Sequence, residues 1–387
     1  MAQASEGSEV KVKQRKTFVV LSLIAVLAVV AVAAGGADAV GRGMYRLVGL
    51  VGQIVALVRS SYVEEVPVER LELGAIGGLV DAADPGGAWV PEEHAAAFAA
   101  ASGRLVPAFG MVLGRRASYP YVIEVVPASP AAAAGLQPGE YIERIGSEPV
   151  RARPLWLSIV LLDRAAEAGE SVTIDVIDRA VEDKRQVTLK SGGAPSLAPV
   201  LDTRGDIPVL RVPALTKMTV ARIDAVLQAL PAGALVIDLR GTGLGNPEAA
   251  IEAAAKIAGG EIEAPRQARA GDLKPLKASG QVRQRRIFVC VDPTTAGAAE
   301  VLAASLKRRG ATLVGAETYG DTGVRQPQHV AGGQLWLASE WFLGPDGKPL
   351  LGAGLKPDEA VRMRREGDPV LDRALELAHG QALPKAA

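Results

Sequence analysis

The segment that decides the fold is residues 287–300, IFVCVDPTTAGAAE. Its first five residues are apolar and mostly β-branched or aromatic, which is typical of a strand buried on both faces. The pattern then predicts a helix from Ala296 to Arg309, which Gly310 ends. A buried strand followed by a turn and a helix is the repeating unit of an α/β layer structure.

The same alternation continues on both sides of this segment. Further strands and helices are predicted at Val209–Val212, Thr219–Leu230, Ala234–Leu239, Pro247–Ala258, Thr312–Val314 and Gln334–Ala338. Strands that alternate with helices in this way indicate an α/β core, which we place at residues 193–365. A C-terminal helix and tail follow at 366–387.

A stretch rich in Gly, Pro and Ser, residues 191–195, separates this core from a region of different pattern. In that region, short β-rich runs alternate with tight turns. Ser129 is placed to cap a short helix, Pro130 suits its first position, and Gly135 suits its end. We therefore predict a small separate domain at 105–192, preceded by a helical segment at 41–104.

The composition excludes several classes of function. The 387 residues include 43 Lys and Arg, 43 Asp and Glu, 4% aromatic residues, one Cys and three His. A chain without net charge and with few aromatic rings is poorly suited to nucleic acid. A single cysteine, Cys290, cannot form an internal disulfide or a thiolate cage, and the histidines lie far apart in sequence. We expect no nucleic-acid partner, no metal and no cofactor.

The N-terminus predicts a membrane anchor. Basic residues, among them Arg15 and Lys16, precede an apolar run from Phe18 to Ala34. This run is longer than the apolar region of most signal peptides and approaches the length of a membrane span. Because a basic flank stays in the cytoplasm, we predict a single-pass signal anchor within residues 1–40 of the inner (cytoplasmic) membrane, with the remaining chain in the periplasm. Residues 31–33, AVA, leave a cleaved signal peptide as the alternative.

Several motifs, taken in order, resemble the C-terminal processing peptidases, also called tail-specific proteases. They are YVEEV at 62–66 with GAIGGL at 74–79, SPAAAAGLQPGEYI at 129–142, DLR at 238–240, TYG at 318–320, and PDG at 345–347 with GLKPD at 354–358. The resemblance implies an N-terminal helical segment, a PDZ domain at 105–192 and a crotonase-like (ClpP/crotonase) α/β peptidase core. It also implies serine-type hydrolysis, with a Lys as the base that activates a Ser.

The resemblance does not extend to the catalytic positions. Gly297 occupies the position of the family's serine nucleophile. The position of the lysine base falls on Asp321 or on Thr322, depending on the flanking motif from which it is counted. The family's glutamine is retained as Gln326, while the glycine-rich turn at 241–245, GTGLG, has a changed order.

Neighbouring polar residues are poor substitutes for the missing pair. Thr294 and Thr295 lie at a helix start, where capping is their expected role. Lys307 lies more than two helical turns further on, roughly 15 Å along the helix axis. Asp321 offers a carboxylate base but no nucleophile, and His329 is expected on a surface strand.

The resemblance to PDZ domains implies a peptide-binding site. The loop that holds a C-terminal carboxylate is expected at Phe109, Gly110, Met111 and Val112. The facing helix offers Trp156, Ile159 and Val160, with Asp163 beside them. The alternative is that these side chains only form the core of the domain.

These observations predict a membrane-anchored, catalytically inactive relative of the C-terminal processing serine peptidases. Its ligands are protein C-termini or unstructured peptides, and its role is that of a scaffold or a regulator of periplasmic proteolysis. An active protease or an adaptor is a further candidate partner. The alternative is an active serine-type endopeptidase that cleaves protein C-termini with displaced catalytic residues.

The apolar run generates a prediction about location. We expect the full-length protein to remain in the membrane fraction after an alkaline carbonate wash, because a run near the length of a span resists extraction. A phosphatase reporter fused to the C-terminus should be active, since the chain after the run is exported. Release of the full-length protein by carbonate, or an inactive reporter, would contradict the anchor.

Overall fold

A computed structural model describes residues 39–178, 183–281, 285–362 and 367–380. They belong to two compact units, one that ends at Ala75 and one that begins at Ile76. The apolar run at 18–34 lies outside the described residues. Within the described ranges, no helix combines the length and the apolar character that a membrane span requires. The domain limits at 40, 104, 192 and 365 remain predictions.

The described part of the first unit, from Ala39 on, contains two helices. Helix α1 spans Ala39–Ser61, and α2 spans Val68–Ala83 and runs on into the second unit. Many large apolar side chains of α1 are exposed, including Val48 and Leu57, each with 64% of its surface accessible. A cavity of about 590 Å³ lies between the end of α1 and the start of α2, lined by residues such as Ile54 and Val58.

The second unit opens with strand β1 (Ala88–Pro91) and helix α3 (Glu92–Ser102). An antiparallel sheet follows, which we call the antiparallel domain, in the region where the resemblance implies a PDZ domain. Its elements are a 3₁₀ turn (Ala108–Gly110), β2 (Met111–Arg116), β3 (Tyr119–Val125), α4 (Pro130–Ala133), β4 (Tyr141–Ile145), β5 (Glu148–Pro149), α5 (Leu155–Glu167), β6 (Val172–Asp178) and β7 (Asp183–Leu189). The strand order is β2-β3-β4-β6-β7, so β2 forms an edge of the sheet.

The rest of the unit is the α/β core that the sequence predicts. Its elements are β8 (Val200–Arg204), β9 (Ile207–Arg211), β10 (Ala214–Leu215), α6 (Lys217–Ala229), β11 (Gly233–Asp238), β12 (Leu244–Gly245), α7 (Pro247–Ala258), β13 (Gly260–Ala268), β14 (Gly271–Gly280), β15 (Arg285–Val291), α8 (Ala298–Arg308), β16 (Thr312–Gly315), β17 (Val324–Val330), β18 (Gly333–Phe342), β19 (Glu359–Ala360) and α9 (Pro369–His379).

The central sheet of the core has the order β19-β16-β15-β11-β9-β8, and all neighbours are parallel except β8 and β9. Its two faces are buried separately because successive side chains of a strand point in opposite directions. On β11, Leu235 and Ile237 pack with helices α6, α7 and α8, while Val236 packs with α9. The mostly apolar strands are therefore explained by burial on both faces.

The core also contains a second, antiparallel sheet, part of which was not predicted from the sequence. Strands β13 and β14 form a long hairpin at 260–280, where no strand was predicted, and β13 also pairs with β18. A break in the register between Ala264 and Arg266 accommodates Pro265, which cannot donate a backbone hydrogen bond. Strand β17 pairs along one side of β18, and β1 pairs on the other side at residues 333–336, beyond the part that pairs with β13. A strand that precedes the antiparallel domain therefore completes a sheet of the core.

The antiparallel domain meets the core at a buried carboxyl group. One carboxyl oxygen of Glu124, on β3, accepts hydrogen bonds from the backbone N–H groups of Gly243 (2.7 Å) and Leu244 (2.8 Å). The other oxygen is buried and has no hydrogen-bond partner among the described residues. Burial raises the pKa of Glu124 to about 8, although the two N–H donors and the charge of Arg211 lower it. Glu124 therefore joins the two parts mainly as a neutral acid at pH 7.

The raised pKa predicts how stability depends on pH. Folded Glu124 keeps its proton up to about pH 8, whereas a glutamate in the unfolded chain has the ordinary pKa of 4.5. Its contribution to stability is thus complete below pH 4.5 and is lost as the pH rises through 8. Glu124→Gln keeps an oxygen acceptor for both N–H groups and cannot ionise, so its stability should fall less as the pH rises.

We expect the free energy of unfolding of the wild type to fall more steeply than that of Glu124→Gln. The difference in slope should approach about 1.4 kcal/mol per pH unit between the two pKa values. Urea unfolding at several pH values measures it. Glu148→Gln, at an exposed position of the same domain, is the matched control and should keep the wild-type slope. Equal slopes for wild type and Glu124→Gln would contradict the assignment.

Candidate functional site

Gly297, the predicted nucleophile position, lies in a sharp turn between β15 and α8. Its backbone has φ 58° and ψ −119°, a conformation that residues with side chains rarely adopt. A Cβ atom would nevertheless find space there, 3.7 Å from the carbonyl oxygen of Asp321 and 3.9 Å from that of Gly243. A strained turn from strand to helix is a known way to expose a nucleophile. The chain thus keeps such a turn but places no side chain on it.

Glu300 connects this turn to residues 318–321. Its buried carboxyl group accepts hydrogen bonds from the backbone N–H groups of Gly297 (3.1 Å), Gly320 (2.8 Å) and Asp321 (2.8 Å), and from the hydroxyl of Thr318. Burial raises the pKa of Glu300 to about 7, against the effect of these donors. Glu300 thereby brings the predicted nucleophile and base positions together. No role was predicted for Glu300 from the sequence; its place three residues after the helix cap was the available signal.

The prediction that Thr294 and Thr295 cap the helix is wrong, because Gly297 occupies the cap position. The Thr295 hydroxyl donates to the carbonyl of Leu239 (3.0 Å), and the Thr294 hydroxyl accepts from the N–H of Gly241 (2.7 Å). Both hydroxyls hold the turn after β11 against the turn after β15. Their role follows from the position of β11 beside β15, and the local sequence pattern does not reveal that these two strands are neighbours.

The two candidates for the base position lie in different environments. Asp321 forms an ion pair with Arg325 (2.7 Å), and Arg325 also pairs with Asp84 (2.6 Å). Thr322 is buried, and its hydroxyl has no hydrogen-bond partner in the described part of the chain. Gln326 is exposed on β17, so its side chain is not held at the turn by burial.

The remaining polar candidates lie apart from the turn. Lys307 is near the other end of α8 from Gly297, where it pairs with Asp358 (2.8 Å). His329 is exposed on β17, as the sequence predicts. Within the described ranges, no three His, Cys, Asp or Glu side chains are arranged to hold a metal ion.

A cavity of about 340 Å³ runs along the free edge of β2. It is lined on one side by Met111, Val112, Leu113, Ile159, Leu162 and Asp163, and on the other by residues 243–246 of the core. Arg104 also lines it and pairs with Asp163 (2.6 Å). A molecule in this cavity would therefore contact both the antiparallel domain and the glycine-rich turn.

The predicted peptide-binding residues separate into two groups. Met111, Val112 and Ile159 line the cavity. Trp156 and Val160 are buried in a different cluster, with Val90 of β1 and Phe98 of α3, and Ile159 also packs against that cluster. Since β1 and α3 cover the face of α5 that carries Trp156 and Val160, Ile159 is the predicted helix residue that lines the cavity.

The predicted carboxylate loop has an unusual backbone. Phe109 and Gly110 both have positive φ, 55° and 74°, and the Phe109 side chain is buried in the core of the antiparallel domain. A Cβ atom at Gly110 would lie 2.2 Å from the Cβ of Ser129, so only glycine fits there. The loop is thus fixed next to the start of β2.

Comparison with known proteins agrees with this architecture. Residues 206–361 match the family described as peptidase family S41. A carboxy-terminal-processing protease of Bartonella bacilliformis is 22% identical over 329 residues, which cover 82% of this chain and 75% of that protein. A probable CtpA-like serine protease of Staphylococcus aureus is 24% identical over 326 residues, which cover 80% of this chain and 64% of that protein.

Among solved structures, the photosystem II D1 C-terminal processing protease has a TM-score of 0.62 and 19% identity, and the match covers 79% of this chain and 86% of that one. This likeness shows that the two chains share a fold. Together with the match of residues 206–361 to peptidase family S41, it shows that this chain is similar to the C-terminal processing peptidases.

Proposed function

We propose that this protein binds the C-termini of proteins or unstructured peptides along β2 without hydrolysing them. The observation that carries the proposal is the free edge of β2 beside the cavity, next to a turn whose nucleophile position is Gly297. Such an edge accepts a further strand through backbone hydrogen bonds, which is the way PDZ domains bind peptides.

The hydrogen bonds of β3 support the availability of this edge. The N–H of Val122 donates to the carbonyl of Glu140, and the carbonyl of Val122 accepts from the N–H of Gly139. Leu113 lies opposite Val122, so the backbone groups of Leu113 point away from β3. The side chains of Ile159 and Leu162 offer an apolar surface beside this edge.

The geometry of the turn argues against hydrolysis. Gly297 supplies no nucleophile, and the hydroxyls of Thr294 and Thr295 are engaged with neighbouring backbone. The carboxylate of Asp321 is paired with Arg325. The N–H groups of Gly243 and Leu244, in the glycine-rich turn that the resemblance associates with the oxyanion, are occupied by Glu124.

A second candidate function is peptide hydrolysis by displaced residues. The observation that favours it is Thr322, whose buried hydroxyl has no hydrogen-bond partner among the described residues and which follows Asp321 directly. Hydrolysis should be tested because the similar proteins are named as proteases. A threonine hydroxyl becomes a nucleophile only with a base to take its proton.

The proposal also covers the place of the protein in the cell and its partners. The N-terminal basic flank and apolar run support a role at the inner membrane with the binding domain in the periplasm. There the protein would serve as a scaffold or as a regulator of proteolysis, with an active protease or an adaptor as a partner. The ligand class stays the same in each case, an apolar peptide C-terminus.

The first test concerns binding. We expect the full-length protein to bind apolar free-acid peptides in the micromolar range, about −8 kcal/mol, and amidated peptides more weakly because they lack the carboxylate. Ile159→Ala should weaken binding about twofold to tenfold, since it removes apolar contact in the cavity. Leu201→Ala, at an exposed position of β8, is the control. Equal binding of free-acid and amidated peptides would contradict the carboxylate loop.

The second test concerns catalysis. We expect no cleavage of an unstructured protein substrate by the purified chain, and none by Gly297→Ser, because the serine would lack a base. Gly297→Ser with Thr322→Lys should recover a trace at most, since one missing oxyanion donor alone costs about 100- to 1,000-fold. Cleavage that copurifies with the wild type and disappears in Thr322→Val, but not in the exposed control Thr203→Val, would favour the second candidate.

A further inference from the structure

The free edge of β2 is interrupted at one residue by the core. The hydroxyl of Tyr319 accepts a hydrogen bond from the backbone N–H of Arg115 (2.7 Å) and donates one to the carbonyl of the same residue (2.9 Å). These are the two backbone groups that a further strand would use at Arg115. One side chain thus replaces the contacts of one ligand residue.

Tyr319 is fixed in this position by several contacts. Its ring is parallel to that of Tyr121, with an interplanar angle of 5° and centroids 6.3 Å apart. Its backbone N–H donates to the carbonyl of Thr295 (2.9 Å), beside the turn of Gly297. A Cβ atom at Gly114 would lie 2.5 Å from the Tyr319 oxygen, so a glycine in β2 leaves room for the hydroxyl. Burial raises the pKa of Tyr319 to about 12, so the hydroxyl keeps its proton.

The register of β2 determines which residues of a ligand are affected. Backbone groups of a strand face its two neighbours alternately, so Met111, Leu113 and Arg115 face away from β3. With its carboxylate at the loop of 108–110, an antiparallel ligand places its last residue opposite Met111. Its third residue from the end then lies opposite Leu113, and its fifth lies opposite Arg115.

We propose that Tyr319 limits strand pairing at β2 to the last four residues of the ligand, because its hydroxyl occupies the backbone groups of Arg115 that the fifth residue would need. This inference rests on the proposed peptide binding and specifies it further. Upstream of the fourth residue, the ligand leaves the sheet edge, so its sequence there contributes little to affinity.

The test uses free-acid peptides of increasing length and the full-length protein. In fluorescence anisotropy, the affinity of the wild type should rise with length up to four residues and then stay constant. Tyr319→Ala removes the ring together with the hydroxyl and so opens the N–H and the carbonyl of Arg115 to the ligand. Its affinity should rise further, about threefold to tenfold for hydrogen bonds of ordinary strength, when a fifth and sixth residue are added. Tyr121→Phe removes the hydroxyl of the stacked ring without freeing Arg115, and it should behave like the wild type.

Peptides methylated on one backbone nitrogen provide a second measurement that does not need a variant. Methylation of the third residue from the end removes the bond to Leu113 and should weaken binding to every form of the protein. Methylation of the fifth residue should leave the wild type unaffected and weaken binding only to Tyr319→Ala. Thermal unfolding shows whether the variants are folded.

The outcomes separate the two proposals. If free-acid peptides bind no better than their amides, the proposed function fails, whatever the effect of length. If free-acid peptides bind specifically, but the wild type gains affinity from a fifth residue or loses it when that residue is methylated, the limit set by Tyr319 is overturned. The wild-type measurements suffice for this decision even if Tyr319→Ala does not fold.

Discussion

The buried carboxyl group of Glu300 is the interaction on which the rest of the site depends. It accepts hydrogen bonds from the turn of Gly297 and from residues 318–321, two segments that follow different strands of the central sheet. The hydroxyl of Thr318 in turn accepts a hydrogen bond from the N–H of Leu355, so the segment before β19 is held to the same carboxyl group. A buried acceptor left without these donors would be costly, so all three segments are held in one arrangement. Tyr319, between two of the donors, is positioned at β2 as a result.

The core was the most predictable part of the fold. The predicted strand at Ala234–Leu239 is apolar except for Asp238 because both faces of the sheet are covered, and α7 begins with a clear signal, Pro247 after the cap residue Asn246. The hairpin at 260–280 escaped prediction because its charged residues and prolines resemble a loop. In the structure those charges lie on an exposed face and pair across strands, as Lys277 does with Glu263.

The site was less predictable because its key contacts join distant segments. Glu124 appears in the sequence as one acidic residue within an apolar strand, and only the position of the antiparallel domain reveals its partners at 243 and 244. Which side of α5 faces the cavity likewise depends on which side β1 covers, and β1 precedes the domain and belongs to another sheet. Local patterns identify strands and helices, but they do not say which face meets a partner from elsewhere in the chain.

The occupied glycine-rich turn has a consequence for the number of substitutions that separate this site from a serine-lysine site. In a peptidase, the N–H groups of such a turn must be free to receive an oxygen of the substrate. Here a carboxyl oxygen of Glu124 already accepts hydrogen bonds from two of them, and Arg325 forms an ion pair with Asp321, one of the two candidates for the base position. Serine-lysine chemistry at these positions would therefore require changes at Glu124 and at Asp321 or Thr322, as well as a side chain at Gly297. Each contact that occupies one of these groups adds a substitution to that number.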